Sequence, residues 1–317
     1  MFELFKKREL SDYLVDTFTF FKSYGKHFFK TFFLINTGML LVVGALVYWF
    51  LKHNFQSLVR NNLDQTEPGS LLNYFNDNDP ALVGFGAISI LLILIVSLFN
   101  SSYPVLYLKL IAQKNTNNFT TKDILSAFKQ NIWKLFKFTI GVIFIIFPVL
   151  FITIIILFLL CFVLIGIPLL ILAIPTLFTW IHFSFYIYLT EEKSFFQSLN
   201  NAYLLLKDNF WTSIGATFLA MVIIQMVQGS ITMFIYFAGI FLVIGTALIN
   251  PNFDDQSFDA ASPFLIIGIT LIFILILVIS TIFNNMLVIN QGIIYYSLSA
   301  DDTISTAEID LIGNNNE

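Results

Sequence analysis

The side chains able to do chemistry in this sequence are few, and they are set inside long apolar stretches. His182, in Trp180-Ile181-His182-Phe183-Ser184, is the one group there that could exchange a proton near neutral pH. Charged residues inside a bilayer mark ion paths and proton relays because they are costly to place there. The cores of the apolar stretches hold no Asp, Glu, Lys or Arg, which argues against ion- or proton-coupled transport. His182 is then either hydrogen-bonded across helices or a proton or headgroup contact. The other polar positions are amides and hydroxyls: Asn100, Ser101, Gln225, Gln228, Ser230, Asn284, Asn285, Asn290 and Gln291. On a helix Gln225 and Gln228 share one face, and Thr281, Asn284 and Gln291 share another. Such groups either cross-link helices or line a lipid or peptide groove between them. Thr212, Ala216 and Ala220 form a small-residue ridge suited to close helix approach.

Catalytic signatures are absent. The sequence has no HExxH, Walker A, GxSxG or paired Cys/His spacing. Two S-x-x-K matches, Ser23 with Lys26 and Ser126 with Lys129, fall in amphipathic segments where both residue types are common. The lone cysteine, Cys161, sits in an apolar run and reads as an inert thiol. Asp254, Asp255 and Asp259 lack calcium-loop spacing and read as a solvated acidic loop. No catalytic residue, cofactor or metal site is expected.

Composition explains this scarcity. Of 317 residues, 57% are hydrophobic, 11% are charged and 38 are Phe, with a mean hydropathy of +0.83. Soluble domains carry about 25% charged residues, so this chain lacks the polar surface of a water-facing globule. A soluble enzyme, a disulfide-built secreted domain and a disordered chain are excluded. The net charge of −4 supplies no basic field for nucleic acid.

Six spans are expected, at about 31–51, 81–112, 138–164, 168–190, 211–249 and 263–298. The block 138–190 is too long for one crossing, and Gly166-Ile167-Pro168 is its natural turn. The fifth stretch is also too long for one straight span, and a break is expected near Gln228-Gly229-Ser230 or Gly239. The first stretch has no small-residue cleavage site after it and reads as a retained span. Lys and Arg divide 14 to 2 between the two sides of this arrangement. The positive-inside rule then predicts an inner, cytoplasmic-membrane protein with both termini inside. The loops carrying Asp64, Glu67, Asp77, Asp79 and Asp254 fall outside. Trp133 and Trp211 mark the inner interface and Trp49 the outer one.

Amphipathic, partly basic segments precede the odd-numbered spans, at about 10–30, 120–137 and 194–210. The second opens with Thr120-x-x-Asp123 and the third with Ser194-x-x-Gln197, both capping-box patterns. Lys129-Gln130-Asn131-Ile132-Trp133 matches Lys207-Asp208-Asn209-Phe210-Trp211, and Ser97-Leu98-Phe99-Asn100-Ser101 resembles Thr281-Ile282-Phe283-Asn284-Asn285. These matches predict three parallel repeats, each an interfacial helix followed by a transmembrane hairpin. Lys22, Lys26, Lys30, Lys129, Lys134, Lys137 and Lys207 are then candidate contacts for anionic lipid or for membrane-protein partners. The same lysines could instead serve only to orient the spans. Residues 299–317 read as an acidic cytoplasmic tail.

The segments Leu10 to Phe33, Lys207 to Trp211, Ile293-Ile294-Tyr295-Tyr296-Ser297-Leu298 and Ile309-Asp310-Leu311-Ile312-Gly313 resemble a bacterial group related to the glycerophosphodiester phosphodiesterase membrane-domain family. That resemblance implies about six spans in a functionally uncharacterised family. Some relatives carry a fused phosphodiesterase domain with a histidine and carboxylate metal site, which has no counterpart in these residues, so the resemblance implies no activity. The expectation is one all-α transmembrane domain over 1–298. Its expected role is a scaffold or accessory subunit organising partner membrane proteins or lipid; a carrier or flippase-like protein for a lipidic or neutral solute is the rival.

Overall fold

A computed structural model describes residues 2–63, 80–114, 119–249 and 255–313. Within these, regular structure is entirely helical, and six helices are long and apolar enough to cross a membrane. The helices are α1 (Leu10–Leu63), α2 (Pro80–Lys114), α3 (Thr121–Gly141), α4 (Phe147–Leu160), α5 (Gly166–Thr190), α6 (Phe195–Asp208), α7 (Phe210–Ile249) and α8 (Asp255–Gly313).

Local signals start and stop these helices. The Glu9 N–H donates to the Asp12 carboxylate at 3.0 Å ahead of α1. The Thr120 N–H and Oγ1 both donate to Asp123 Oδ2, at 2.6 and 2.9 Å, ahead of α3. At α6 the Gln197 N–H donates to Ser194 Oγ and Gln197 Oε1 accepts from the Ser194 N–H, a reciprocal capping box. α3 loosens into one π-helical turn, Val142–Ile146. Pro148 follows, and its ring and missing N–H cannot continue the ladder. The hairpin turn, expected at Gly166-Ile167-Pro168, falls just ahead of them at Cys161–Ile165, where Leu164 takes φ 64°, and Gly166 to Pro168 form the first turn of α5.

Two expectations about boundaries are corrected. The amphipathic segments 10–30 and 120–137 are not separate helices. α1 runs unbroken for 54 residues, about 80 Å of helix at about 1.5 Å per residue, and α3 continues directly into the next apolar stretch. No Pro lies at either junction, so both helices run past residues 30 and 137, and α3 loosens only after Gly141. The expected break in the fifth stretch is also absent, since α7 is continuous over 40 residues. Ser230 Oγ donates back to the Met226 carbonyl of its own helix. At Gly239 a Cβ would lie 3.1 Å from Ile272 Cδ1, so this glycine admits a neighbouring helix instead of ending its own. α8 extends into the acidic tail as far as Gly313. Asp64, Glu67, Asp77, Asp79 and Asp254 lie outside the described residues.

Packing divides the chain into two units. The first comprises Met1–Leu34, Asn100–Gln225 and Phe283–Glu317. Its interior sets Phe28 and Phe32 edge-to-face against Tyr103, with ring centroids 4.9 and 5.0 Å apart. A second cluster joins Ala220, Ile224 and Leu287, flanked by Leu14, Phe178 and Phe283. The arm 2–9 folds back on Arg8, whose guanidinium is buried. It donates to Asp16 at 2.7 Å, to the Leu4 and Lys6 carbonyls and to the Glu3 carbonyl.

The second unit comprises Ile35–Phe99 and Met226–Ile282. Phe55, Leu265 and Ile266 form its core, and Phe85 stacks between Trp49 and Phe50 with both centroid distances 5.2 Å.

Candidate functional site

Four helices of the first unit meet in a buried polar lattice. Asn290 Nδ2 donates to Thr17 Oγ1 at 2.9 Å, joining α8 to α1. Gln291 Nε2 donates to Thr217 Oγ1 on α7 at 3.0 Å, and that hydroxyl lies 2.8 Å from Thr179 Oγ1 on α5. Thr179, Thr217, Asn290 and Gln291 are all fully buried. The Tyr13 hydroxyl donates to Ser297 Oγ, which donates to the Lys6 carbonyl at 2.7 Å. Chemically this is a set of neutral cross-links in an apolar interior, with no group placed as nucleophile or base.

Tyrosines extend the lattice, and sequence reasoning missed them because their rings pass as apolar. Tyr103 donates to the Phe28 carbonyl at 2.7 Å. Tyr186 donates to the Val288 carbonyl at 3.0 Å, passing Gly292, where any Cβ would collide with the Tyr186 hydroxyl and Leu108. Tyr295 donates to Glu191 Oε1 at 2.8 Å. His27 was also overlooked. Its Nε2 donates to the Phe119 carbonyl at 3.0 Å, and in the neutral ring Nδ1 accepts from the Tyr107 hydroxyl at 2.8 Å. The available signal was the i,i+4 spacing of Tyr103 and Tyr107, the two tyrosines of α2.

The singled-out residues separate. Gln291 and Asn285 are buried, whereas Gln225 and Asn284 are exposed. The faces read from sequence are thereby corrected: Asn285, not Asn284, shares the buried stripe with Thr281. Gln228 reaches Ser280 Oγ at 3.4 Å within the second unit. Asn100 and Ser101 are half-buried. His182 Nδ1 donates to the Phe178 carbonyl of its own helix at 2.8 Å, and no hydrogen bond to another helix is found for it among the described residues.

The basic residues also differ among themselves. Lys22, Lys26, Lys30, Lys129, Lys137 and Lys207 are exposed. The Lys137 ammonium sits 5.6 Å from the Trp133 ring centre. Lys134 pairs with Glu192 at 3.8 Å. Lys109 donates to the Leu189 carbonyl at 2.5 Å, where a cation suits the negative end of α5.

α6 gives the clearest surface geometry. The indole Nε1 of Trp180 donates to the Leu199 carbonyl at 3.0 Å, seating α6 on α5. One edge of α6 lines a cleft of about 390 Å³ with Ile187, Glu191, Asn201, Asp208, Asn209 and Ser299. The other edge lines a cleft of about 480 Å³ with Leu177, Trp180, Tyr203, Leu206, Lys207 and Phe210. Ile187 and Leu177 are ten residues apart on α5, about 15 Å along its axis. α6 therefore lies across α5, with a polar, acidic cleft on one side and an apolar cleft bearing a cation on the other. Among the described residues no group of three or more His, Cys, Asp or Glu side chains converges as a metal site.

Six long apolar helices, with neutral cross-links inside, mark a multi-pass helical membrane protein. No protein-family model, no curated protein and no solved structure matches the chain.

Proposed function

We propose that this protein is a non-catalytic scaffold or accessory subunit of a bacterial inner membrane, organising partner membrane proteins or local lipid. The observation that carries the reading is the use made of the buried amides. Asn290 and Gln291 spend donors on Thr17 and Thr217, so they tie helices together, which favours a fixed arrangement over a solute path. Cross-helix bonds of this kind contribute about 0.6 kcal/mol each on average, enough in combination to hold one arrangement of helices. The 14-to-2 division of Lys and Arg supports placing both termini in the cytoplasm. The paired matches at Lys129–Trp133 and Lys207–Trp211 support descent from three parallel repeats. The likeness to the group related to the glycerophosphodiester phosphodiesterase membrane domain carries over no activity.

The test is purification of the full chain from its own membrane into nanodiscs, followed by mass spectrometry. A stoichiometric membrane-protein partner is the expected result. Repeated recovery of the chain with bound lipid but no protein partner would overturn the scaffold reading in favour of a carrier.

A further inference from the structure

The two clefts beside α6 sort charge by side. The cleft at Ile187 holds the carboxylates of Glu191 and Asp208 and no base. The cleft at Leu177 holds one charge, the Lys207 ammonium, and no acid. Lys207 has no acidic partner among the described residues, and its side chain is exposed. Leu177, Leu206 and Phe210 line the same cleft. Trp180 also lines it and is held in place by its bond to the Leu199 carbonyl. Tyr203, a further lining residue, is 55% exposed. An apolar slot lined with an amphipathic aromatic pair and an exposed cation matches the two-part chemistry of a lipid at the headgroup boundary. Its volume of about 480 Å³ falls within the range of about 300–1,000 Å³ common for small-molecule sites.

We propose that this cleft binds one anionic phospholipid, with the phosphate on Lys207 and an acyl chain between Leu177, Leu206 and Phe210. The charge sorting selects the occupant. A lipid without a phosphate would leave the ammonium without a counter-ion, a zwitterionic phospholipid would bring a second cation beside it, and a basic peptide would be repelled by it and drawn to the acidic cleft on the other side. The proposal names the lipid that the scaffold would organise and rests on that reading only for its membrane setting.

Trp180 provides the readout. In a variant with Trp49, Trp133 and Trp211 replaced by Phe, the chain is reconstituted in phosphatidylcholine vesicles. These carry a small fraction of phosphatidylglycerol or phosphatidylcholine with brominated acyl chains, which quench indole fluorescence. Trp180 is expected to be quenched more by the brominated anionic lipid, with a preference of about fivefold in apparent affinity. Lys207→Gln should abolish the preference, Lys207→Arg should keep it, and Lys129→Gln should leave it unchanged. Equal quenching by both lipids in the parent protein, or a preference that survives Lys207→Gln, would overturn the proposal. Monodisperse elution of each variant separates this result from misfolding. Failure of the scaffold reading would show up as a missing protein partner and would leave the quenching difference intact.

Discussion

The Gln291 amide donates to the Thr217 hydroxyl at 3.0 Å across 74 residues of chain, and Thr217 in turn meets Thr179 at 2.8 Å. The pair shows how this molecule uses polarity. Asn290 and Gln291 are buried, neutral and directed at hydroxyls on neighbouring helices, so they favour one register among many apolar packings that would otherwise be close in energy.

Gln291→Leu and Thr217→Val should each lower stability in detergent by about 0.6–1.7 kcal/mol. The double variant should lose less than the sum of the two, because both changes remove one bond. Strictly additive losses would show that the pair is not coupled.

Asn284 and Asn285 are adjacent in sequence and opposite in environment. Asn284→Leu should change stability by less than about 0.5 kcal/mol, while Asn285→Leu should cost about 1 kcal/mol or more. Thermal melts of the two variants side by side test which helix face packs inward.

Gly292→Val places a side chain against the Tyr186 hydroxyl and Leu108. Overpacking of this kind costs about 1–3 kcal/mol, whereas Tyr186→Phe, which removes only the bond to the Val288 carbonyl, should cost about 1 kcal/mol. A valine variant as stable as the parent would refute the close approach.

Arg8 gathers three backbone carbonyls and one carboxylate. Arg8→Ala should release the arm 2–9, read as faster hydrogen exchange over those residues. Lys at this position should not restore protection, since one ammonium cannot reproduce the planar fork of donors. Unchanged exchange in the alanine variant would mean that Phe2, Leu4 and the Ser297 bond to the Lys6 carbonyl suffice to hold the arm.

Orientation is open to direct labelling. In a Cys161→Ser background, Lys129→Cys should react with an impermeant maleimide only from the cytoplasmic side and Arg60→Cys only from the outside. The reverse pattern would overturn the proposed topology.

Much of the helical layout was legible from local chemistry. The Ser194–Gln197 capping box, the Thr120–Asp123 start and the turn ahead of Gly166 each involve groups within a few residues of one another. The twin motifs show where that legibility ends. Asn131 and Asn209 both bond back to the carbonyl four residues earlier, at 2.8 and 3.3 Å. Yet the chain stays helical through Asn131, while Asn209 takes φ −121° and ψ 33° and separates α6 from α7. α6 packs on α5 through the Trp180 bond, whereas α3 runs on into its apolar stretch.

From the amino-acid order alone came the number of long apolar helices, the caps that begin them and the absence of charge in their cores. Run length and hydrogen-bonding chemistry are local properties, and they survive without knowledge of neighbours. Only the tertiary structure decided which amides are buried, which tyrosines bridge helices, that α7 has no break and that α6 separates an acidic cleft from a lysine-bearing one. In a water-soluble helix the buried face announces itself by being apolar. Here the outward face is as apolar as the inward one, as Phe147 at 63% exposure illustrates. Hydropathy therefore carries no record of direction, and the packing of the helices alone supplies it.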